Sequence, residues 1–264
     1  MGIVTETGLY ETLQVRFQDD VCFVRIHRPD ANNTINDRLI EELGQVLDLC
    51  EAQVRVVVLE GLPQVFCFGA DFKGIQERFA SGVPYEALDP KPMYRLWLRL
   101  ASGPYVTIAH VRGQANAGGI GFVAACDVVI CDETATFGLS ELLFGLMPAC
   151  VLPFLVRRMG FAKANYMTLM TEPVSAQSAR EWGLVDDVAA DSQNLLRKKL
   201  LRLRRVSKTA VARCKRYMTT LDHLLLSAEQ KALDANMEVF SDTDNVAKIA
   251  RYVSTGQFPW EGEA

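Results

Sequence analysis

The chain reads as an α/β protein with a helical C-terminal region, and three observations predict this. Arg55 to Glu60 (RVVVLE) is a nearly continuous apolar run of the kind that forms a strand buried on both faces. The same rhythm of strand, helix and strand returns from Tyr105 to Cys131. After Pro153 the apolar spacing turns helical almost to the end.

In order along the chain, LQVRFQDDVCFVRIHRP alternates apolar and polar residues on both sides of Gln18-Asp19-Asp20, which predicts a strand, a turn and a second strand ended by Arg28-Pro29. From Asn36 to Cys50, the residues Leu39, Ile40, Leu43, Val46, Leu47 and Leu49 recur at helical spacing, with Asn36 as the cap. The segment Ala80 to Pro92 is rich in Gly, Pro and Ala and reads as a mobile loop or a broken helix, the material of lids. Tyr105 to Val111 is a strand, Gly118 to Cys126 a helix of small residues, and Val128 to Cys131 another strand. Helices are expected over Arg157 to Thr171, Ser175 to Trp182 and a long run from Leu195 to Tyr252. The apolar faces of that run (Leu224, Leu225, Leu233, Met237, Phe240, Val246, Ile249, Tyr252) call for packing on the core or on another subunit.

With 264 residues, 49% hydrophobic and 23% charged, the chain can bury a full core as one large domain, with or without an appendage. No stretch approaches the roughly 18 uncharged apolar residues of a membrane span, and the start MGIVTETGLYETLQV lacks a basic end followed by an apolar run. A cytoplasmic protein is expected, with neither membrane nor nucleic acid as partner. The seven cysteines, an odd number in apolar surroundings, read as buried free thiols. His27, His110 and His223 lie far apart, and no metal-ligand spacing is present, so no metal site is expected. Arg197 to Arg216 carries ten of the 28 Lys and Arg residues without an intervening acid. That run is either a docking face for something acidic or a solvated helix face.

Three segments carry candidate chemistry. In Phe66-Cys67-Phe68-Gly69-Ala70-Asp71-Phe72, which follows RVVVLE after a Gly61-Leu62-Pro63 turn, the Gly-Ala pair lets the backbone approach a ligand and leaves NH groups free for an anion. An ordinary strand-to-helix turn has the same composition. Ala117-Gly118-Gly119-Ile120-Gly121 opens a helix whose amino end presents unpaired NH groups and a positive dipole. Read from Gly119, it also matches a dinucleotide fingerprint, but the acid at the end of the next strand, Asp132, comes only 13 positions on. In Phe137-Gly138-Leu139-Ser140-Glu141, a carboxylate precedes the apolar Leu142-Leu143-Phe144. Glu141 is then either capped surface or a buried acid suited to proton transfer near neutrality. His110, on an apolar strand, is a core histidine or a substrate contact. No GxSxG elbow occurs, no Ser, His and Asp arrangement can be placed together, and nucleophilic hydrolysis is not expected.

Taken in order, these segments resemble the crotonase (enoyl-CoA hydratase/isomerase) family over nearly the whole chain. VRIHRPDANNTIN resembles its first strand and turn, FCFGADF its first oxyanion loop, HVRGQANAGG its second, and CDVVICDETATFGLSELLFGLMP the segment with its catalytic carboxylate. The resemblance implies a spiral of ββα repeats over residues 1–194, and a helical region over 195–264 that serves oligomerisation and part of the active-site cover. It also implies an oxyanion hole from the backbone NH groups of Phe68 and Gly118, Glu141 as the proton-transfer residue, and Ala70, Asp71, Gly119, Gly121 and His110 as substrate-binding positions. A homotrimer or pair of trimers is implied as well.

Hydratases of the family use two glutamates, and the earlier one falls on Gly121. This shifts the weight to relatives that work with one acid. The segments Asn32 to Asp37, Leu59 to Pro63, Ser140 to Pro148 and Gly256 to Trp260 look most like the dehydratases of polyketide β-branching cassettes. Such an enzyme removes water from a 3-hydroxy-3-methylglutaryl thioester on an acyl carrier protein. It uses no cofactor beyond the phosphopantetheine or CoA that carries the acyl group. The alternatives are a decarboxylase of the same cassette, a catabolic acyl-CoA hydratase/isomerase and a non-catalytic thioester-binding protein. Lys73, Arg78, Lys91, Tyr94 and His110 are the candidates for holding the distal carboxylate.

Overall fold

The computed structural model describes residues 4–7, 10–81 and 89–261. Most of the segment expected to be a lid, at 82–88, lies outside them; it is flanked by two helices, α2 (Phe72–Ala80) and α3 (Lys91–Ser102). The large sheet contains β1 (Val4–Thr7), β2 (Leu13–Gln18), β3 (Val21–Ile26), β4 (Val56–Glu60), β6 (Val106–Val111), β8 (Val128–Cys131) and β11 (Asp187–Val188), side by side in that order. β1 to β3 are antiparallel and the rest run parallel from β3 onward. The predicted hairpin is present, with Asp19 at φ 54° in its turn. All five residues of β4 are buried, as its unbroken apolar sequence demands.

A small sheet holds β5 (Val65–Cys67), β7 (Gln114–Asn116), β9 (Thr136–Gly138) and β10 (Val174–Ser175), in the spatial order β10-β9-β7-β5. Each repeat gives one strand to the large sheet and the next to the small one: β4 then β5, β6 then β7, β8 then β9. That alternation winds the chain into a spiral. The strands of the small sheet were not foreseen from sequence, because two or three residues are too few to show a period of two.

Helix α1 (Asp37–Gln53) starts where expected, with the Asn36 side chain accepting from the Leu39 amide at 2.9 Å. Together with α3, α4 (Gly118–Ala125) and α5 (Leu152–Met159), it covers the inner face of the large sheet and closes the main core. On the outer face, Leu195, Leu196, Leu200 and Leu203 of α8 (Ser192–Leu203) pack on Val56, Val58, Ile108 and Ile130. The helix expected over Arg157 to Thr171 is two, α5 and α6 (Phe161–Met170), broken at Gly160 with φ 80°. Next come α7 (Ala176–Glu181) and, after α8, the helices α9 (Lys208–Leu221), α10 (Leu224–Ser241) and α11 (Thr243–Thr255). The side chains of Asp191, Ser207 and Asp242 cap α8, α9 and α11. Tyr94 Oη donates to the Leu225 carbonyl at 2.6 Å and ties α10 to α3. Phe72, Phe144, Tyr252 and Phe258 join α11 and the segment after it to α2 and to the turn at Glu141–Phe144. Among the described residues no helix is long and apolar enough to cross a membrane. All seven cysteines are free, and only Cys214 is exposed.

Candidate active site

β5, β7 and β9 are parallel neighbours, and the three candidate segments leave their carboxyl ends side by side. Phe68 follows β5, Gly118 comes two residues after β7, and Glu141 three after β9. In open α/β sheets, the space beyond such ends is where ligands bind.

The two loops touch closely. Gly69 has φ 96°, and a Cβ there would lie 2.6 Å from the Ala117 Cβ and 3.2 Å from the Gly118 amide nitrogen, so only glycine fits. Ala117 itself takes φ 50° and ψ −123°, a strained conformation for a residue with a Cβ, as found at sites that hold backbone amides in place. Its amide donates to the Gly138 carbonyl at 3.0 Å, tying the second loop to the strand that leads to Glu141. Gly119 packs on the Cys67 carbonyl, which a Cβ would approach to 2.3 Å. Among the turn, loop and cap bonds of the described residues, neither the Phe68 nor the Gly118 amide has an acceptor. Gly118 is also the first residue of α4, where an amide has no partner within the helix. Ala70 lies alongside Ile35, whose amide donates to the Gly69 carbonyl at 2.8 Å.

Glu141 opens a short 3-10 turn, and its Oε2 is buried without a hydrogen-bond partner. Burial pushes the carboxyl up to about 7, although its own amide and that of Ser140 pull the other way. Ser140 is fixed by Asn116, whose Nδ2 donates to Ser140 Oγ at 2.9 Å. Of the two sequence alternatives for Glu141, the structure has the acid with its Oε2 buried, on a residue that is half-buried as a whole. Asn116, Ser140 and Ala117, which tie these loops together, were not singled out by sequence reasoning. The strain at Ala117 leaves no trace in residue type.

Two expectations need correction. His110 is fully buried on the outer face of the large sheet, with Nδ1 2.8 Å from Glu60 Oε1 and Nε2 2.9 Å from Ser192 Oγ. Both ring nitrogens are satisfied beneath α8, so His110 is a core histidine and not a substrate contact. The same trio shows that a serine, a histidine and an acid do come together, 82 residues separating His110 from Ser192, but Ser192 is buried and offers no accessible nucleophile. At Gly121, where the family's earlier glutamate falls, the indole of Trp97 occupies the position a side chain would take.

Asp71 is committed to structure. Its Oδ2 accepts from Arg28 at 2.9 Å, and its Oδ1 accepts from the Gly74 amide at the start of α2. It shapes the first loop without offering a free carboxylate. Among the candidates for a distal carboxylate, Tyr94 is buried with its hydroxyl bonded, Arg78 pairs with Asp37 and Lys73 is exposed.

The basic run is split between α8 and α9, and part of it is structural. Lys199 pairs with Asp187 and Arg204 with Asp19; Lys208 donates to the Cys50 and Val54 carbonyls, and Lys215 to those of Leu100 and Tyr105 and to Asp127. Val54, Tyr105 and Asp127 all lie just before β4, β6 and β8, at the opposite end of those strands from the exits toward the small sheet. The choice between docking face and solvated surface rests with the exposed members of the run, Arg202 and Arg205 among them.

A spiral of this kind, with two backbone loops and one buried acid at the ends of three parallel strands, belongs to the enoyl-CoA hydratase/isomerase family, whose model matches residues 16–263. The chain is 59% identical over 264 residues to the bacillaene synthase dehydratase PksH of Bacillus subtilis, covering 100% of both. It is 34% identical over 179 residues to a 2,3-dehydroadipyl-CoA hydratase of Escherichia coli, covering 67% of this chain and 68% of that one. The crystal structure of a putative polyketide biosynthesis enoyl-CoA hydratase (pksH) from Bacillus subtilis superposes with a TM-score of 0.93 at 59% identity, over 95% of this chain and 100% of that one. An enoyl-CoA hydratase/isomerase from Xanthobacter autotrophicus Py2 gives 0.83 at 26% identity, over 94% of each chain.

Proposed function

We propose that this enzyme is a hydro-lyase of polyketide biosynthesis that dehydrates 3-hydroxy-3-methylglutaryl-acyl carrier protein to 3-methylglutaconyl-acyl carrier protein. The observation that carries the reading is Glu141, a buried carboxyl near neutrality with an unpartnered oxygen, set at the strand ends shared by two backbone loops. Full-length similarity to a polyketide dehydratase supports the pathway and the reaction type.

In this mechanism the thioester oxygen lies between the amides of Phe68 and Gly118. The Glu141 carboxylate takes the α-proton, and the electron pair moves through the carbonyl onto the thioester oxygen as an enolate. Fixed amide donors stabilise that charge, each typically contributing about 3 to 4 kcal/mol. The enolate then re-forms the carbonyl and makes the double bond, and the β-carbon loses its hydroxyl. Protonated Glu141 returns its proton to the departing hydroxyl, which leaves as water. One carboxyl serves as base and then as acid, a role that requires its pKa to lie near the working pH. The reaction as written needs no cofactor beyond the phosphopantetheine that carries the acyl chain.

Exposed apolar side chains on α6 (Phe161, Tyr166, Leu169) and α9 (Tyr217, Met218, Leu221) support assembly into a homotrimer or a pair of trimers. Mass spectrometry of 3-hydroxy-3-methylglutaryl-acyl carrier protein incubated with the enzyme tests the function. Loss of water is expected. Loss of carbon dioxide would move the chain to the decarboxylases, and no change, with hydration of short enoyl-CoA instead, would move it to the catabolic hydratases.

A further inference from the structure

Like Glu141 Oε2, Nε1 of Trp97, on α3, is buried without a hydrogen-bond partner. The residue is 2% exposed, and Phe122 and Phe154 hold its indole edge-on, with ring centroids 5.9 and 5.7 Å away. A Cβ built on Gly121 would stand 2.3 Å from Cζ2 and 2.5 Å from Cε2, the ring carbon bonded to Nε1. The six-membered ring of the indole, up to the carbon that bears Nε1, thus lies against α4 in the room that any side chain at 121 would need. Buried donors without acceptors are rare in native proteins, and each calls for an explanation.

Gly121 is three residues beyond Gly118, a rise of about 4.5 Å along a helix. A thioester oxygen held at the Gly118 amide would set an acyl chain running along α4 one helical turn from Gly121 and the indole. We infer that Trp97 is a specificity-determining residue of the site: its indole excludes a second acidic side chain at 121, and its N–H is the donor for an oxygen on the β-carbon of the acyl chain. This rests on the dehydratase reading above. A carboxylate at 121 would accept a hydrogen bond and hold a water for addition. An indole N–H only donates, which suits an oxygen already bonded to carbon, as in a β-hydroxyacyl thioester.

Two measurements test the inference. For occupancy, Gly121→Glu should lower the melting temperature by about 5–10 °C through overpacking. Trp97→Ala combined with Gly121→Glu should recover part of that loss relative to Gly121→Glu alone. A Gly121→Glu protein as stable as the parent, or a double variant less stable than Gly121→Glu, overturns the exclusion. For the donor, binding is titrated in a Glu141→Gln background, so that no turnover intervenes, with 3-hydroxy-3-methylglutaryl-pantetheine and its deoxy analogue 3-methylglutaryl-pantetheine. Adding Trp97→Phe, which keeps an aromatic ring and removes the N–H, should weaken the hydroxy compound about three- to tenfold and leave the deoxy compound unchanged. Equal weakening of both, or of neither, overturns the donor role. Failure of the parent enzyme to release water from the carrier-bound substrate would sink the dehydratase reading instead, and the two binding constants would still decide the role of Trp97.

Discussion

Glu60 and Glu141 keep their carboxyls from solvent in opposite ways. Glu60, at the end of β4, is boxed in by His110 at 2.8 Å and Arg25 at 3.7 Å. Burial raises its pKa, but the hydrogen bond and charge of His110, with the charges of Arg25 and Arg112, outweigh it, and the group is held below the usual carboxylate range. Glu141, at the ends of the small-sheet strands, has no cationic partner among the causes of its shift, and burial carries it up to about 7. Burial is common to both; partnership separates them. A satisfied acid glues elements together, whereas an unsatisfied one is held ready to exchange a proton.

The largest effect should come from Glu141→Gln, which keeps shape and removes the titrating site. Turnover of the carrier-bound substrate should fall about 10²- to 10⁴-fold, the usual worth of a positioned acid or base. Circular dichroism should show an unchanged fold. In the parent, kcat/KM should rise with pH and level off above about 7, where Glu141 becomes the base. Near-parental dehydration by the variant, or a flat profile between pH 5 and 8, would erase the contrast between the two acids.

At the other pole, His110→Ala should leave Glu60 buried without its close hydrogen-bond partner, with only the more distant charges of Arg25 and Arg112 acting on it. Deleting the hydrogen-bond partner of a buried polar group costs about 1–3 kcal/mol, and more where that group is charged, so denaturant unfolding should shift strongly. Turnover per folded molecule should stay at the parental level. If instead catalysis collapses in a folded protein, His110 belongs to the substrate site after all.

Glu141 should also weaken the fold that holds it. Its folded pKa lies above the value of about 4.5 expected when unfolded, so the folded state binds more protons between those two values. Stability must then fall as pH rises from 4.5 through 7 and stay reduced above. Glu141→Gln removes that dependence. The variant should melt higher than the parent above pH 7, by an amount worth up to roughly 3 kcal/mol, and the gap should close toward pH 4.5. A constant gap across this range would mean that the carboxyl is not held neutral by burial.

What was legible in sequence divides along the same line. The hairpin, α1 with its Asn36 cap, β4, β6 and α4 were readable because their apolar periods run long enough to declare themselves. Glu141 was readable as a candidate from its apolar neighbours, yet its state was open, since burial is decided by C-terminal helices that pack around the 141–144 turn from a hundred residues away. The roles of His110 and Trp97 were illegible for a related reason. Ser192 satisfies one, Gly121 receives the other, and neither pairing has any local signature.

The smallest expected effect concerns the basic run, whose fate in sequence was a choice between docking face and solvated surface. Arg202 and Arg205 are exposed near the junction of α8 with α9, where Arg204 reaches Asp19 in the β2–β3 turn and Arg55 donates to the Arg204 carbonyl. That corner faces the starts of the parallel strands, whereas Phe68, Gly118 and Glu141 follow strands that begin at their far ends. An acidic carrier bound here would have to send its acyl chain past the whole depth of the large sheet. Reversing both charges, Arg202→Glu with Arg205→Glu, should therefore leave kcat/KM for the carrier-bound substrate within about twofold of the parent at low salt, as exposed charges are individually worth at most ~1 kcal/mol. If the double variant instead slows association with a steep dependence on ionic strength, this face does steer the carrier. The separation of site from basic run would then have to be bridged by a partner subunit that brings one chain's α8–α9 corner to another chain's strand ends.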